Sequence, residues 1–130
     1  MTSTEAKLEQ LSLAISADVY KALDHFSEDE QWGMQTELRH SALDVTTDTA
    51  EALGSIDPRD KQYSYGRARK ALFVLRATFK LAQRTGIFAV EPDLMVAIQE
   101  AIKLIDPEIE RATKDIPSWF TQNDYRTYAP

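Results

Sequence analysis

The sequence predicts an all-α protein, an antiparallel up-down-up-down four-helix bundle. Three observations predict the bundle itself. Apolar residues recur at three- and four-residue steps through four long segments. The 4 glycines and 5 prolines are too few to punctuate many short strands, and most sit near the ends of those segments. Strand-like alternation and internal repeats are absent from the sequence. Short connections between long helices place successive helices side by side in opposite directions.

The first helix is expected over about 4–26. Leu8, Leu11, Ile15, Val19, Ala22 and Phe26 form its apolar stripe. The second is expected over 27–54. Ser27 and Glu30 have the spacing of a capping box, and Glu28, Asp29 and Glu30 suit the positive end of the helix dipole. Met34, Leu38, Ala42, Val45, Ala52 and Leu53 supply its buried stripe, and Gly54 suits a left-handed helix end. Asp57-Pro58 marks a turn, because a residue before proline avoids the helical region.

The third helix is expected over 60–85 and closes at Gly86. The fourth is expected over 92–116, opening at Pro92, since proline is welcome at the first helical position. Leu94, Ile98, Ala101, Ile105, Ile109 and Ala112 form its stripe. Pro107 interrupts that pattern and is expected to kink or split the helix, with Asp106 capping a second piece. The bundle thus occupies 1–116. Residues 117–130 form an aperiodic aromatic tail with Trp119, Phe120, Tyr125 and Tyr128, side chains suited to docking on a protein partner.

Hydrophobic residues make up 43% of this 130-residue chain, enough for one globular domain with a real core. The absence of cysteine excludes disulfides, thiol catalysis and thiolate metal sites, and it fits a cytoplasmic protein. The polar start MTSTEAKLEQ has no apolar run of a signal peptide, and no stretch reaches the ~20 apolar residues that cross a bilayer. No membrane role and no cofactor are expected.

Charge is distributed unevenly. Residues 59–84 hold eight of the 15 lysines and arginines and one acid, Asp60, for a formal charge of +7. The whole chain sums to −6, so the remainder sums to −13. On a helical projection Ala68, Ala71, Leu72, Leu75, Phe79 and Ala82 form the core face of the third helix. Arg69, Arg76, Lys80 and Arg84 fall on another face around Phe73, while Val74 and Leu81 lie on a third side. The apolar surface is wider than one core stripe requires. Two readings stand for Val74 and Leu81: an extended core edge, or a contact with a neighbouring subunit.

The basic stripe also has more than one reading. Charged faces are commonly solvated, and the acids of the other helices could pair with it. Yet no glutamate occurs between Asp60 and Gly86, so the helix is not stabilised by its own Glu–Lys or Glu–Arg pairs. Arginine suits bidentate contacts to phosphate or carboxylate, and Phe73 could stack on a base or pack at a subunit contact.

Catalytic signals are missing. The sequence holds no Walker motif, no phosphate-cradling glycine loop and no recognisable nucleophile triad. Glu37 and His40 have the Glu-x-x-His spacing of di-iron bundles, but the second such pair is absent, since His25 is preceded at that offset by Ala22. Neither a metal site nor an enzymatic activity is expected.

The stretch VYKALDHFSEDEQWGMQTELRHSALDVTTDTAEALG, Val19 to Gly54, resembles the bacterial four-helix-bundle family of rRNA intervening-sequence proteins. Tyr20, Phe26, Glu28 to Glu30, Trp32-Gly33-Met34, Leu38-Arg39 and Ala50-Glu51 carry the likeness. The run YGRARKALFVLRATFKLA is similar to the accessory variability proteins of diversity-generating retroelements. The resemblance implies a homo-oligomeric ring, usually a pentamer. In the retroelement relatives it implies a basic surface that binds RNA and a reverse transcriptase. Those relatives are basic overall, whereas this chain is acidic. Two functions follow as expectations. In the first, a non-enzymatic accessory protein binds RNA or a reverse-transcriptase-like partner through Arg67, Arg69, Lys70, Phe73, Arg76, Lys80 and Arg84. In the second, the chain is a protein-interaction module whose basic face meets acidic surface on a neighbouring subunit or partner.

Overall fold

The computed structural model describes residues 1–27 and 33–119, and among them it is all-helical, with no strand. The four helices are α1 (Ser3–Leu23), α2 (Met34–Gly54), α3 (Pro58–Arg84) and α4 (Pro92–Asp115). Each packs against the next along the chain, and α1 also packs on α4. No helix among the described residues is long and apolar enough to cross a membrane. Glu28 to Glu30, Trp32, Phe120, Tyr125 and Tyr128 lie outside the described residues.

A capping box forms on α1. The Thr2 hydroxyl accepts from the Glu5 amide at 3.1 Å, and the Glu5 carboxylate accepts from the Thr2 amide at 3.0 Å. The α2 start moves from Ser27 to Met34, preceded by Gly33 in a non-helical conformation with no side-chain cap. Glycine loses the most conformational freedom in a helix, so Gly33 is a natural place for the helix to begin late. The Ser27 carbonyl accepts instead from the Gln35 side chain at 3.0 Å, which ties the connection to α2.

Helix α1 stops at Leu23, three residues before its expected end. Phe26 is nevertheless buried. It stacks on Phe88 at 4.6 Å, and Phe88 lies 6.3 Å from Phe79. The end of α1 therefore meets the connection between α3 and α4.

Asp57 caps α3 by accepting from the Arg59 amide at 2.9 Å, and Pro58 takes the first helical position. The helix thus starts two residues earlier than expected. Gly54 is the last residue of α2 and has no left-handed backbone; that conformation occurs at Gly86, where φ is 76°. There the Ile87 amide donates to Ala82 and the Gly86 amide to Gln83, the paired bonds of a Schellman end. Helix α4 runs unbroken through Pro107, so Asp106 caps no second piece. Proline deprives the Lys103 carbonyl of its donor, but both residues are exposed, and water satisfies such a carbonyl on a solvent face.

The expected stripes supply the core. Leu8, Ile15 and Val19 meet Leu38, Ala42 and Val45, with Leu72, Leu75 and Phe79 opposite and Ile98 and Ile105 closing the fourth side; all are buried. Burying each of the larger side chains contributes about 1.5–3 kcal/mol, which makes packing the main support of the fold. Small residues bring α1 and α2 close. The Ser16 hydroxyl lies 2.6 Å from both the Ala42 carbonyl and the Thr46 hydroxyl.

Candidate interaction surface

Helix α3 presents four different environments around its circumference. One face is core. The side toward α4 holds Arg69, Phe73 and Arg76, all half-buried. Arg69 Nε donates to Asp106 Oδ1 at 2.6 Å, and Arg76 Nη1 donates to Gln99 Oε1 at 2.7 Å. The two guanidinium carbons sit 4.6 and 4.4 Å from the centre of the Phe73 ring. Each such contact is worth about 0.5–1 kcal/mol at an exposed site, and the stack within α3 holds the two guanidinium groups where they bond to α4.

The side toward α2 holds Arg67, Lys70 and Val74. They line a shallow cavity of about 260 Å³ together with Glu37, His40 and Asp44. Asp48 lies at its base with a side chain only 4% exposed, and Arg67 Nε stands 3.5 Å from its carboxylate. Burial pushes the Asp48 carboxyl upward, and the Arg67 charge opposes that shift. The Asp48 charge in turn raises Arg67. Glu37 and His40 thus share their cavity with two cations. Among the described residues no three His, Asp or Glu side chains are grouped to hold a metal ion.

The outermost face holds Gly66, Ala77, Lys80, Leu81 and Arg84, with Lys70 at its border with the α2 side, all exposed. Leu81 is 52% exposed. Lys70, Lys80 and Arg84 make no ion pair among the described residues. Ala77, Lys80, Leu81, Gln83 and Arg84 line a shallow groove that Met95 of α4 completes.

The seven residues expected to bind RNA or a partner therefore divide by side. Arg69 and Arg76 are bonded to α4 with Phe73 stacked beneath both guanidinium groups, and Arg67 leans on α2. Lys70, Lys80 and Arg84 face outward. The two residues expected at a subunit interface also separate, with Val74 half-buried beside α2 and Leu81 in the open. Trp119, the first aromatic residue of the tail, is 72% exposed.

A third concave surface was not marked by any sequence motif. Asp18, Lys21, Ala22 and His25 of α1 and the turn after it face Gly86 to Ala89, Glu91, Asp93 and Leu94 across a cleft of about 710 Å³. Its residues come from three segments, and none carries a local motif that would have pointed to it. No protein-family model matches the chain, and no curated protein matches it.

Proposed function

We propose that the chain is a non-enzymatic interaction protein that self-associates through the outer face of α3. One observation carries the reading. Leu81 stands half-exposed between Lys80 and Arg84, and neither cation has an acidic partner among the described residues. An apolar anchor within a charged rim is the composition of an interface core and its edge. Covering a leucine contributes up to about 1.5–3 kcal/mol, a worthwhile share of a subunit contact. With −13 outside residues 59–84, the surface of another copy is rich in acid.

The protomer in this reading is an up-down-up-down bundle. Cross-helix bonds from Gln62 to Thr113, Arg69 to Asp106 and Arg76 to Gln99 support it, since one number rises as the other falls. A closed ring of such protomers, pentameric as in the proteins the sequence resembles, is the assembly proposed.

Light scattering across a salt series tests the reading. An oligomer at low salt that loosens as salt rises agrees with it. A monomer at every concentration and salt excludes it.

A second reading, binding to RNA or to an RNA-bound protein, is favoured by the same outward cations. Of the seven α3 candidates, Lys70, Lys80 and Arg84 are exposed and make no ion pair among the described residues, so three phosphate contacts would give a salt slope for single-stranded RNA of about −2. No affinity for RNA at low salt would remove this reading and leave the first intact.

A further inference from the structure

The reading of α3 as a self-association face leaves the receiving surface unassigned. Resting on that reading, we infer that the receiver is the cleft between α1 and the start of α4 on a second copy.

The charges are complementary. Asp18, Glu91 and Asp93 rim the cleft, and none makes an ion pair among the described residues. Lys21 and His25 also line it, so the acids outnumber the one permanent cation. Lys80 and Arg84 are the unpaired charges beside Leu81. The shapes are complementary as well. Ala22, Ile87, Phe88 and Leu94 give the cleft an apolar lining, and its volume of about 710 Å³ has room for a leucine side chain and its neighbours. The other acidic surface near α3, the cavity against α2, is polar apart from Ala71 and Val74 and would leave Leu81 without an apolar seat.

The two surfaces also suit a repeating contact. Helices α1 and α3 each pack on α2 and α4, which sets them at opposite corners of the bundle. One copy can therefore donate its α3 face and receive another at the same time. Both surfaces lie at the end where α3 turns into α4, since Arg84 is two residues from Gly86 in the cleft. A contact between unlike patches at one height adds little rise per copy, which favours closure into a ring over an open filament.

Charge reversal separates this inference from the reading beneath it. One variant carries Lys80→Glu and Arg84→Glu; the other carries Asp18→Lys and Asp93→Lys. Circular dichroism confirms that each is folded, and Asp18→Lys with Glu91→Lys replaces the second if it is not. Sedimentation at low salt should show self-association weakened at least about tenfold in each variant alone, because like charges then face each other. Mixing the two charge-reversed proteins should restore assembly, since every contact in an alternating array pairs opposite charges again. An alternating array closes only with an even number of copies, so a five-membered ring would keep one mismatched contact.

If the α3 variant dissociates and the cleft variant does not, the α3 reading stands and the cleft is not its receiver. The same conclusion follows if both dissociate and mixing restores nothing. If neither dissociates, the α3 reading falls together with the inference.

Discussion

Arg69 of α3 donates to Asp106 of α4 at 2.6 Å, one residue before the proline inside α4. This contact makes Arg69 a part of the fold. Both side chains are 40–50% exposed, at 41% and 47%, so solvent screens the pair and its Coulomb energy is small. Stacking on Phe73 adds to it. Arg69→Ala should cost about 0.5–1.5 kcal/mol of stability in urea unfolding. A double-mutant cycle with Asp106→Asn should give a coupling of no more than about 1 kcal/mol. A coupling near zero would mean that the ion pair contributes nothing. Reversing Arg69 and Arg76 therefore disturbs the α3–α4 contact as well as any partner, and Lys80 and Arg84 are the cleaner probes of binding.

Tyr65 is the next test, because its buried hydroxyl has no hydrogen-bond partner among the described residues. An unsatisfied buried hydroxyl costs about 1–3 kcal/mol, so Tyr65→Phe should leave stability unchanged or raise it. Tyr65→Ala should lose about 3–5 kcal/mol, because it opens a cavity in the core. Burial, then the Glu108 and Glu5 charges, push the Tyr65 hydroxyl from 10.0 up to about 12. The folded state holds this proton more tightly than the unfolded state. The associated stability is complete below pH 10.0 and is lost as pH rises toward 12. Wild type should fall relative to Tyr65→Phe by up to about 1.4 kcal/mol per pH unit in that window. Parallel stability curves for the two proteins between those pH values would refute the assignment.

Asp48 is an acid like Tyr65, and burial shifts it in the same direction. Burial raises its carboxyl above the ordinary 3.8, and Arg67 offsets only part of that. Its contribution to stability is present below pH 3.8 and lost as pH rises through the raised value. Asp48→Asn should therefore be more stable than wild type at neutral pH and should lose that advantage in acid. Thermal melts at acidic and neutral pH check it. A variant less stable than wild type at neutral pH would show that the Arg67 contact outweighs desolvation.

The sequence made some of this legible and hid the rest for physical reasons. Apolar spacing identified most core positions, because period and burial are tied on a helix, but not Leu23, Tyr65, Val90 or Ile102. Pro58, Pro92 and Gly86 mark real helix boundaries, since their backbone constraints act locally. The start of α2 was less legible: the spacing of Ser27 and Glu30 placed it at Ser27, whereas α2 begins at Met34 after Gly33, and Glu30 lies outside the described residues. The faces of α3 were legible as angles, yet their partners were not. Asp106 and Gln99 lie 37 and 23 residues away from the arginines they receive, and only tertiary packing brings them together. The α1–α4 cleft was invisible for the same reason.

Gly66 and Gly86 set up a paired prediction, because the same substitution should act in opposite directions. A Cβ at either position would meet nothing within 4 Å, so neither glycine is required for space. Gly86 has a φ of 76°, where a side chain is strained, and Gly86→Ala should cost about 1–2 kcal/mol. Gly66 lies inside α3 without a positive φ, and Gly66→Ala should stabilise the protomer by about 1 kcal/mol. Urea unfolding of dilute protein reads both effects. Gly66 is on the same outer face as Leu81, so its methyl group also probes the proposed contact from the other end of α3. If that face is covered along its length, Gly66→Ala should weaken self-association while the protomer gains stability. If association is unchanged, the contact is confined to the end of α3 around Lys80, Leu81 and Arg84.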